Sequence, residues 1–285
     1  MVFRLTLLGT GGPKPDPNRQ GPAHLVQVAG RNLLLDAGRG VSTRLMQAGV
    51  PPEKLDAILI THHHFDHIGG LGDLLFCIWN SGRKVLLPIF GPPGTRKIIE
   101  TLIDGVYASD VAFRKKEATL TGQKLTDIKS LFDVTETDEG LVYVEEGCFI
   151  FSQRMSHGHG MGIEFDDFPC LGYRIEAERK ALAFSGDTVM CAGLEALANM
   201  ADVPLLCCYL SKEEQTEFER EVVSKHILMS SAEAGKIAAK SGVKTLVLTH
   251  IRQKTRRELD FMKEDVQADF AGEVILGEDL MKIVI

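Results

Sequence analysis

Seven residues near the end of the first quarter of the chain, Thr61-His62-His63-His64-Phe65-Asp66-His67, constrain this sequence more than any other feature. They end an apolar run, Ala57-Ile58-Leu59-Ile60, and are followed by Ile68-Gly69-Gly70. In an extended segment successive side chains alternate between faces, so His62 and His64 point to one side and His63 to the other. Asp66 and His67 follow as the chain curls into the next helix, where they reach a second position. Crowding ionisable groups at the end of a buried-looking strand is costly unless something pairs with them. A merely solvated histidine-rich turn is the plainer alternative, and it does not account for four ligand-type side chains within six positions. The pattern is that of a metal-binding turn. Mixed nitrogen and oxygen ligands suit zinc, with manganese or iron as competitors. His63 is left out of the set because its side chain faces away.

The 285 residues carry 39 acidic and 32 basic side chains, a net charge of −7, and no long basic run. That balance argues against broad nucleic-acid binding driven by phosphate neutralisation, although it permits a local basic groove. A hydrophobic content of 44% is enough for one large core, and no window approaches the roughly 18 apolar residues that span a bilayer. The six cysteines, at 77, 148, 170, 191, 207 and 208, show no paired spacing, so free thiols in a reducing, cytoplasmic setting are expected. The apolar amino terminus has no basic leader and reads as a first strand.

Along the chain, strands are expected over 3–8, 24–28 and 32–36, with a Gly- and Pro-rich loop over 11–22. A helix over 41–48 is stopped by Pro51-Pro52, the strand 57–60 leads into the metal turn, and a helix over 71–80 leaves it. A strand over 85–90 and a helix over 96–103 follow, then short strands with acidic turns from 131 to 150 and a strand over 148–155. Strands over 171–175, 180–184, 203–208 and 245–248 alternate with helices over 193–199, 232–241 and 256–266, and two short strands close the sequence. Strands alternating with helices indicate an α/β layered fold. No linker or repeat divides it, so one domain over 1–285 is expected.

A centre holding two cations needs more groups than one turn supplies, and they stand at other strand ends. His157 follows the strand 148–155, Asp187 follows 180–184 in Phe184-Ser185-Gly186-Asp187-Thr188, and His250 follows Leu248-Thr249. In α/β folds chemistry gathers at the carboxyl ends of strands. A lone histidine after a strand is more often a hydrogen-bonded structural residue, and Ser-Gly-Asp-Thr is often only an Asx turn; it is the set that carries weight. Ser156-His157-Gly158-His159-Gly160 offers two histidines. His157 is preferred because it continues the strand's alternation from Met155.

These features resemble the metallo-β-lactamase superfamily, and within it the ribonuclease Z and type III arylsulfatase branch. The matching stretches are Leu8-Gly9-Thr10-Gly11-Gly12, Asp36-Ala37-Gly38-Arg39-Gly40, the metal turn, Gly91-Pro92-Pro93-Gly94-Thr95, Leu171-Gly172-Tyr173-Arg174-Ile175, Phe184-Ser185-Gly186-Asp187-Thr188 and Leu248-Thr249-His250, in family order. The resemblance implies a four-layer αββα sandwich with a dinuclear centre at one edge. His62, His64 and His157 would hold the first metal, Asp66, His67 and His250 the second, and Asp187 would bridge them. It also implies a water activated between two divalent ions as nucleophile, with Asp66 orienting it.

The chain departs from that branch in several places. Ribonucleases Z carry an arm that grips transfer RNA, inserted between the third ligand histidine and the bridging aspartate, and only 158–186 lies there. Val203-Pro204-Leu205-Leu206-Cys207-Cys208-Tyr209 stands where a His-Glu-Ala-Thr motif is usual, and Leu228 where a further histidine precedes Glu233-Ala234. His226, two residues earlier, is the remaining candidate general acid, with a solvent-exposed loop histidine as the plain alternative. The expectation is therefore a metal-dependent hydrolase of a small ester, a phosphodiester or arylsulfate, with transfer RNA an improbable partner. Lactone, carboxylic ester or cyclic-amide hydrolysis is the alternative, and a non-catalytic metal-binding or di-iron redox module the reading from another class; no second acidic residue near position 64 favours the hydrolytic type. Phe76, Trp79, Tyr209 and the loop 165–169 are candidates to wall the site, with the core as the equal alternative; Lys212 and Arg252 are candidates to meet an anionic substrate, with solvated surface as the plain alternative; and the apolar helix 71–79 is a candidate contact for a homodimer.

Overall fold

The computed structural model describes residues 3–145, 147–216 and 218–285. Strands β1 (Arg4–Gly9), β2 (Ala23–Val28), β3 (Arg31–Leu35), β4 (Ala57–Leu59), β5 (Leu87–Gly91) and β6 (Phe132–Glu136) form one sheet. Strands β7 (Gly140–Glu145), β8 (Cys148–Arg154), β9 (Leu171–Ala177), β10 (Lys180–Phe184), β11 (Val203–Cys207), β12 (Thr245–Thr249) and β13 (Glu273–Leu276) form the other, and β14 (Lys282–Val284) returns to pair with β1. Both sheets are mixed. In the first, β3 through β6 run parallel and β14 through β3 antiparallel; in the second, β10 through β13 run parallel and β7 through β10 antiparallel.

The helices are α1 (Val41–Ala48), α2 (Phe65–Ile68), α3 (Leu71–Asn80), α4 (Thr95–Thr101), α5 (Ala108–Thr121), α6 (Ala192–Ala198), α7 (Phe218–His226), α8 (Ser231–Lys240) and α9 (Arg256–Gln267). The period of two along each strand divides the apolar side chains among three cores. Leu33 and Leu35 of β3, Leu182 and Phe184 of β10 and Leu205 of β11 pack between the sheets. Leu34 and Ile58 face outward, onto α1 and α3. Ala181, Ala183, Leu206 and Leu248 face the opposite way, onto α6, α8 and α9. Helix, sheet, sheet, helix is the expected four-layer αββα order. A cross-sheet hydrogen bond from the buried Tyr173 hydroxyl to the Ile60 carbonyl, 2.8 Å, sits just before the histidine turn.

Several sequence expectations change here. The strand expected over 85–90 begins at Leu87, because Val85 and Leu86 are exposed. Trp79 and Phe76 belong to the core between α3 and the first sheet, where Trp79 Nε1 donates to the Thr126 carbonyl, so neither walls a site. For the same reason α3 offers little to a second copy: Leu71, Leu74, Leu75, Phe76, Ile78 and Trp79 are all buried within the chain. Helices α5 and α7 were not expected. All six cysteines are free, four of them buried. Among the described residues no helix is long and apolar enough to cross a membrane.

Candidate metal centre

Four strand ends and one turn meet at a single edge of the sandwich. After β4 the chain stays extended, with His64 at φ −61° and ψ 142°, before α2 begins at Phe65. His62 and His64 therefore share a face, their Nε2 and Nδ1 atoms 3.1 Å apart. His157, beyond β8, places Nε2 3.1 Å from the same His64 nitrogen. Asp187, beyond β10, completes this group. Asp66 and His67, in the first turn of α2, meet His250 from the end of β12 in a second group; within each group the ligand-type atoms lie within 4.8 Å of one another. Asp187 touches both groups. Its Oδ1 is 3.3 Å from His67 Nε2, and its Oδ2 is 3.4 Å from His250 Nε2 and 3.8 Å from His62 Nε2.

All seven expected side chains are thus brought together, and the rivals are not. His159 turns away to place Nδ1 3.1 Å from Ser156 Oγ, and His63 turns to Thr95 Oγ1, 2.8 Å away, above Gly94. His226 ends α7 half-buried, with Nδ1 3.3 Å from the His159 carbonyl, outside both groups. Tyr209 stays near, its ring tilted against that of His250 with centroids 6.0 Å apart, and Phe168 lies over His64 at 4.6 Å. Arg252 is engaged with Glu214 and Glu258, and Lys212 is exposed, its backbone N–H bonded to Asp265.

Sequence reasoning missed the groups that aim these ligands. Asp36, buried at the end of β3 and held in a left-handed conformation (φ 58°), accepts hydrogen bonds from Thr61 N–H and Thr61 Oγ1 and lies 2.7 Å from His67 Nδ1. That contact fixes the ring so that Nε2 faces inward, as second partners of ligand histidines do. The Ile227 carbonyl, 2.7 Å from His157 Nδ1, serves His157 in the same way. An aspartate closing a strand in Asp36-Ala37-Gly38 was the only signal for the first; a backbone carbonyl leaves none for the second.

The electrostatics of the edge fit a cation. Burial, reinforced by neighbouring imidazoles, pushes His62 well below the ordinary histidine range and His64 down to about 4, and burial also lowers His157, so their nitrogen lone pairs are not taken by protons. His67 goes the other way. Burial opposes its charge, yet Asp187 and Asp36 on either side raise it well above that range. Asp187, against the same desolvation, is held well below the usual carboxylate range by His250 and His67. Buried carboxylates here call for positive charge. His67 Nε2 and Asp187 Oδ1 are buried and make no hydrogen bond, although they face each other; orphaned atoms of this kind need a further partner, and a divalent cation is one. Beneath the site, His24 of β2 is fully buried, with neither ring nitrogen bonded, edge-on to Phe184 at 5.0 Å; burial lowers it to about 3.

Comparison with known proteins agrees with this geometry. Residues 31–251 match the beta-lactamase superfamily domain. A protein of Mycolicibacterium paratuberculosis named Ribonuclease Z is 34% identical over 291 aligned positions, covering 99% of this chain and 98% of the relative. Among solved structures, the metallo-beta-lactamase fold protein YhfI from Bacillus subtilis superposes with a TM-score of 0.75 at 20% identity, covering 99% of each chain. The short form of human tRNase Z does so with 0.71 at 24% identity, covering 98% of each. An alignment of 291 positions over 285 residues leaves no space for a large arm in the mycobacterial relative either. The short segment before Asp187 therefore does not set this chain apart from that protein, and transfer RNA stays open as a substrate. Fold, ligand-type cluster and full-length similarity together place the chain in the metallo-β-lactamase superfamily, among the ribonuclease Z-like metal-dependent hydrolases.

Proposed function

We propose that the chain hydrolyses phosphodiester bonds with two divalent cations, one held by His62, His64 and His157, the other by Asp66, His67 and His250, with Asp187 between them. The observation that carries this reading is the division of seven ligand-type groups into two clusters that both contact Asp187. Bound there, such cations supply Lewis acidity and a water nucleophile at neutral pH. Zinc is the metal of choice for this donor set. Because each cluster draws on both sheets, the chain works as one domain.

The protein's own groups have separate tasks. Asp66, whose Oδ2 is 3.3 Å from His250 Nε2, orients the attacking water and takes up its proton. Asp36 and the Ile227 carbonyl hold the ligand rings. His226, on the rim beside the loop that follows His157, gives a proton to the leaving oxygen. Phe168 and Tyr209 flank the two clusters and present flat apolar faces to the substrate.

The phosphodiester is favoured over a sulfate or carboxylic ester by the name of the mycobacterial relative, Ribonuclease Z. The test is a substrate series on zinc-loaded protein: bis(p-nitrophenyl) phosphate, p-nitrophenyl sulfate, p-nitrophenyl acetate, and a transfer RNA with a 3′ extension. Turnover of the diester or the RNA that disappears on chelation supports the proposal. Turnover confined to the sulfate or acetate would refute the phosphodiester assignment, and no chelator-sensitive turnover at all would refute the hydrolytic one.

A further inference from the structure

The loop joining β1 to β2 covers the second cluster and takes its shape from a distant residue. Gly12 approaches His250 so closely that a Cβ on it would lie 2.9 Å from the ring carbon Cε1. Arg39 Nη2 donates to the Gly12 carbonyl at 2.9 Å, and the Thr10 carbonyl accepts the N–H of Ile251 at 2.8 Å. The loop thus braces both the ring of His250 and the backbone just beyond it. His250 itself has φ 60°, a conformation that a non-glycine residue holds only when its surroundings impose it.

Within itself this Gly- and Pro-rich loop has few ties: an isolated bridge between Asp16 and Arg19 and a hydrogen bond from the Gly11 N–H to the Gln20 carbonyl, 2.8 Å. Its two ends are also fixed from outside by Asp279, in the turn between β13 and β14. Asp279 Oδ1 accepts hydrogen bonds from the Thr10 N–H (2.9 Å) and Thr10 Oγ1 (2.8 Å), and Oδ2 accepts one from the Gln20 N–H (2.8 Å). Arg44 of α1 adds a charged bond to Oδ2, also 2.8 Å, and the carboxyl-bearing side chain is only 5% exposed. Arg19 ties the same region from within, donating to Thr10 Oγ1 and to the Gly277 carbonyl.

We propose that Asp279 is a positioning residue: through Thr10 and Gln20 it holds the β1–β2 loop against His250 and so sets the affinity of the second cation site. The inference rests on the two-cation reading above. Its effect passes through the loop, not through the ion pair with Arg44, and that distinction is testable.

Metal-free protein is titrated calorimetrically with Zn2+, and the melting temperature of each metal-free form is recorded. Wild type and Arg44→Met, which loses the ion pair and a bond to Gln47 on the same helix but leaves the bonds of Asp279 to Thr10 and Gln20, take up two equivalents with equal affinity. Asp279→Asn places an amide N–H where Gln20 needs an acceptor; it binds one equivalent as wild type does and the other about tenfold more weakly, the lower end of what disturbing a ligand's supporting partners costs. Thr10→Val, which removes the hydroxyl's bonds with Asp279 and Arg19 but keeps the backbone N–H bond to Asp279, weakens the same equivalent less than Asp279→Asn does. Asp279→Asn binding both equivalents with wild-type affinity overturns the inference alone, as does an equal loss in Arg44→Met. Fewer than two equivalents in wild type overturns the metal reading and this inference together.

Discussion

Replacing His24 by leucine, a side chain of similar volume, makes the protein more acid-resistant by a calculable amount. His24 is buried with both ring nitrogens unbonded and sits at about 3, whereas in the unfolded chain it titrates near 6.5. A histidine depressed in the folded state destabilises as pH falls below its unfolded value, because only the unfolded chain takes up the proton. From pH 7 to pH 5 that proton stabilises the unfolded state by about 2 kcal/mol, roughly 1.5 units at 1.36 kcal/mol each. At pH 7 the substitution relieves an unsatisfied donor and acceptor, worth about 1–3 kcal/mol. It also forfeits the edge-on contact with Phe184, about 0.5–1.5 kcal/mol. The neutral-pH difference is therefore small and its size uninformative; the change with pH is the diagnostic. Urea denaturation of chelator-treated wild type and His24→Leu at both pH values, with equal m-values, measures it, and the other histidines cancel in the comparison. The variant should gain about 2 kcal/mol relative to wild type on going to pH 5. An advantage that is the same at both pH values would mean that His24 titrates freely in the folded protein, and the reasoning from burial would be wrong.

Three further outcomes follow from the site. Asp36→Asn keeps its size but weakens its grip on His67, so affinity for one cation should fall about 10–100-fold while the other equivalent is unaffected; metal titration reads both, and two unchanged equivalents would contradict the role of Asp36. His157→Ala should cost one equivalent of metal and His159→Ala none, by elemental analysis; the reverse result would exchange the two residues. His226→Gln should lower kcat about 100-fold with full metal content, and most strongly for substrates with poor leaving groups, whereas an unchanged rate removes His226 from the reaction.

The metal turn was readable because its chemistry is local: alternate residues of an extended segment share a face whatever lies around them, and His62 and His64 do. Helices α1 and α3 were readable to their ends, bounded by Gly40 and Gly49 in one case and by Gly70 and Ser81 in the other. The choice of His157 over His159 rests on an alternation that β8 does not keep: Cys148, Ile150 and Ser152 are buried and Arg154 is exposed, whereas Met155, which packs in the outer core, and His157 are buried on the other parity. Helix α5 gave no such signal. Phe113 and Leu120 face solvent while only Ala118 is fully buried, so its apolar residues trace no inward stripe. The outward choice for Trp79 failed for the opposite reason: an aromatic on an amphipathic helix near a site looks the same whether it lines the site or the core. Asp36 and Asp279 act across 31 and 269 residues of sequence respectively, and no local pattern reports a contact at that range.

His62, His64, Asp66 and His67 ride on the first sheet, and His157, Asp187 and His250 on the second, so neither half of the sandwich owns a complete set of ligands. On the proposed reading each ion is a rivet through the seam between the layers. Sliding one layer by a single residue would carry its ligands about 3.3 Å from those on the other, so the ability to capture metal doubles as a check on correct assembly, and stripping the ions should loosen that seam before it disturbs the outer helices.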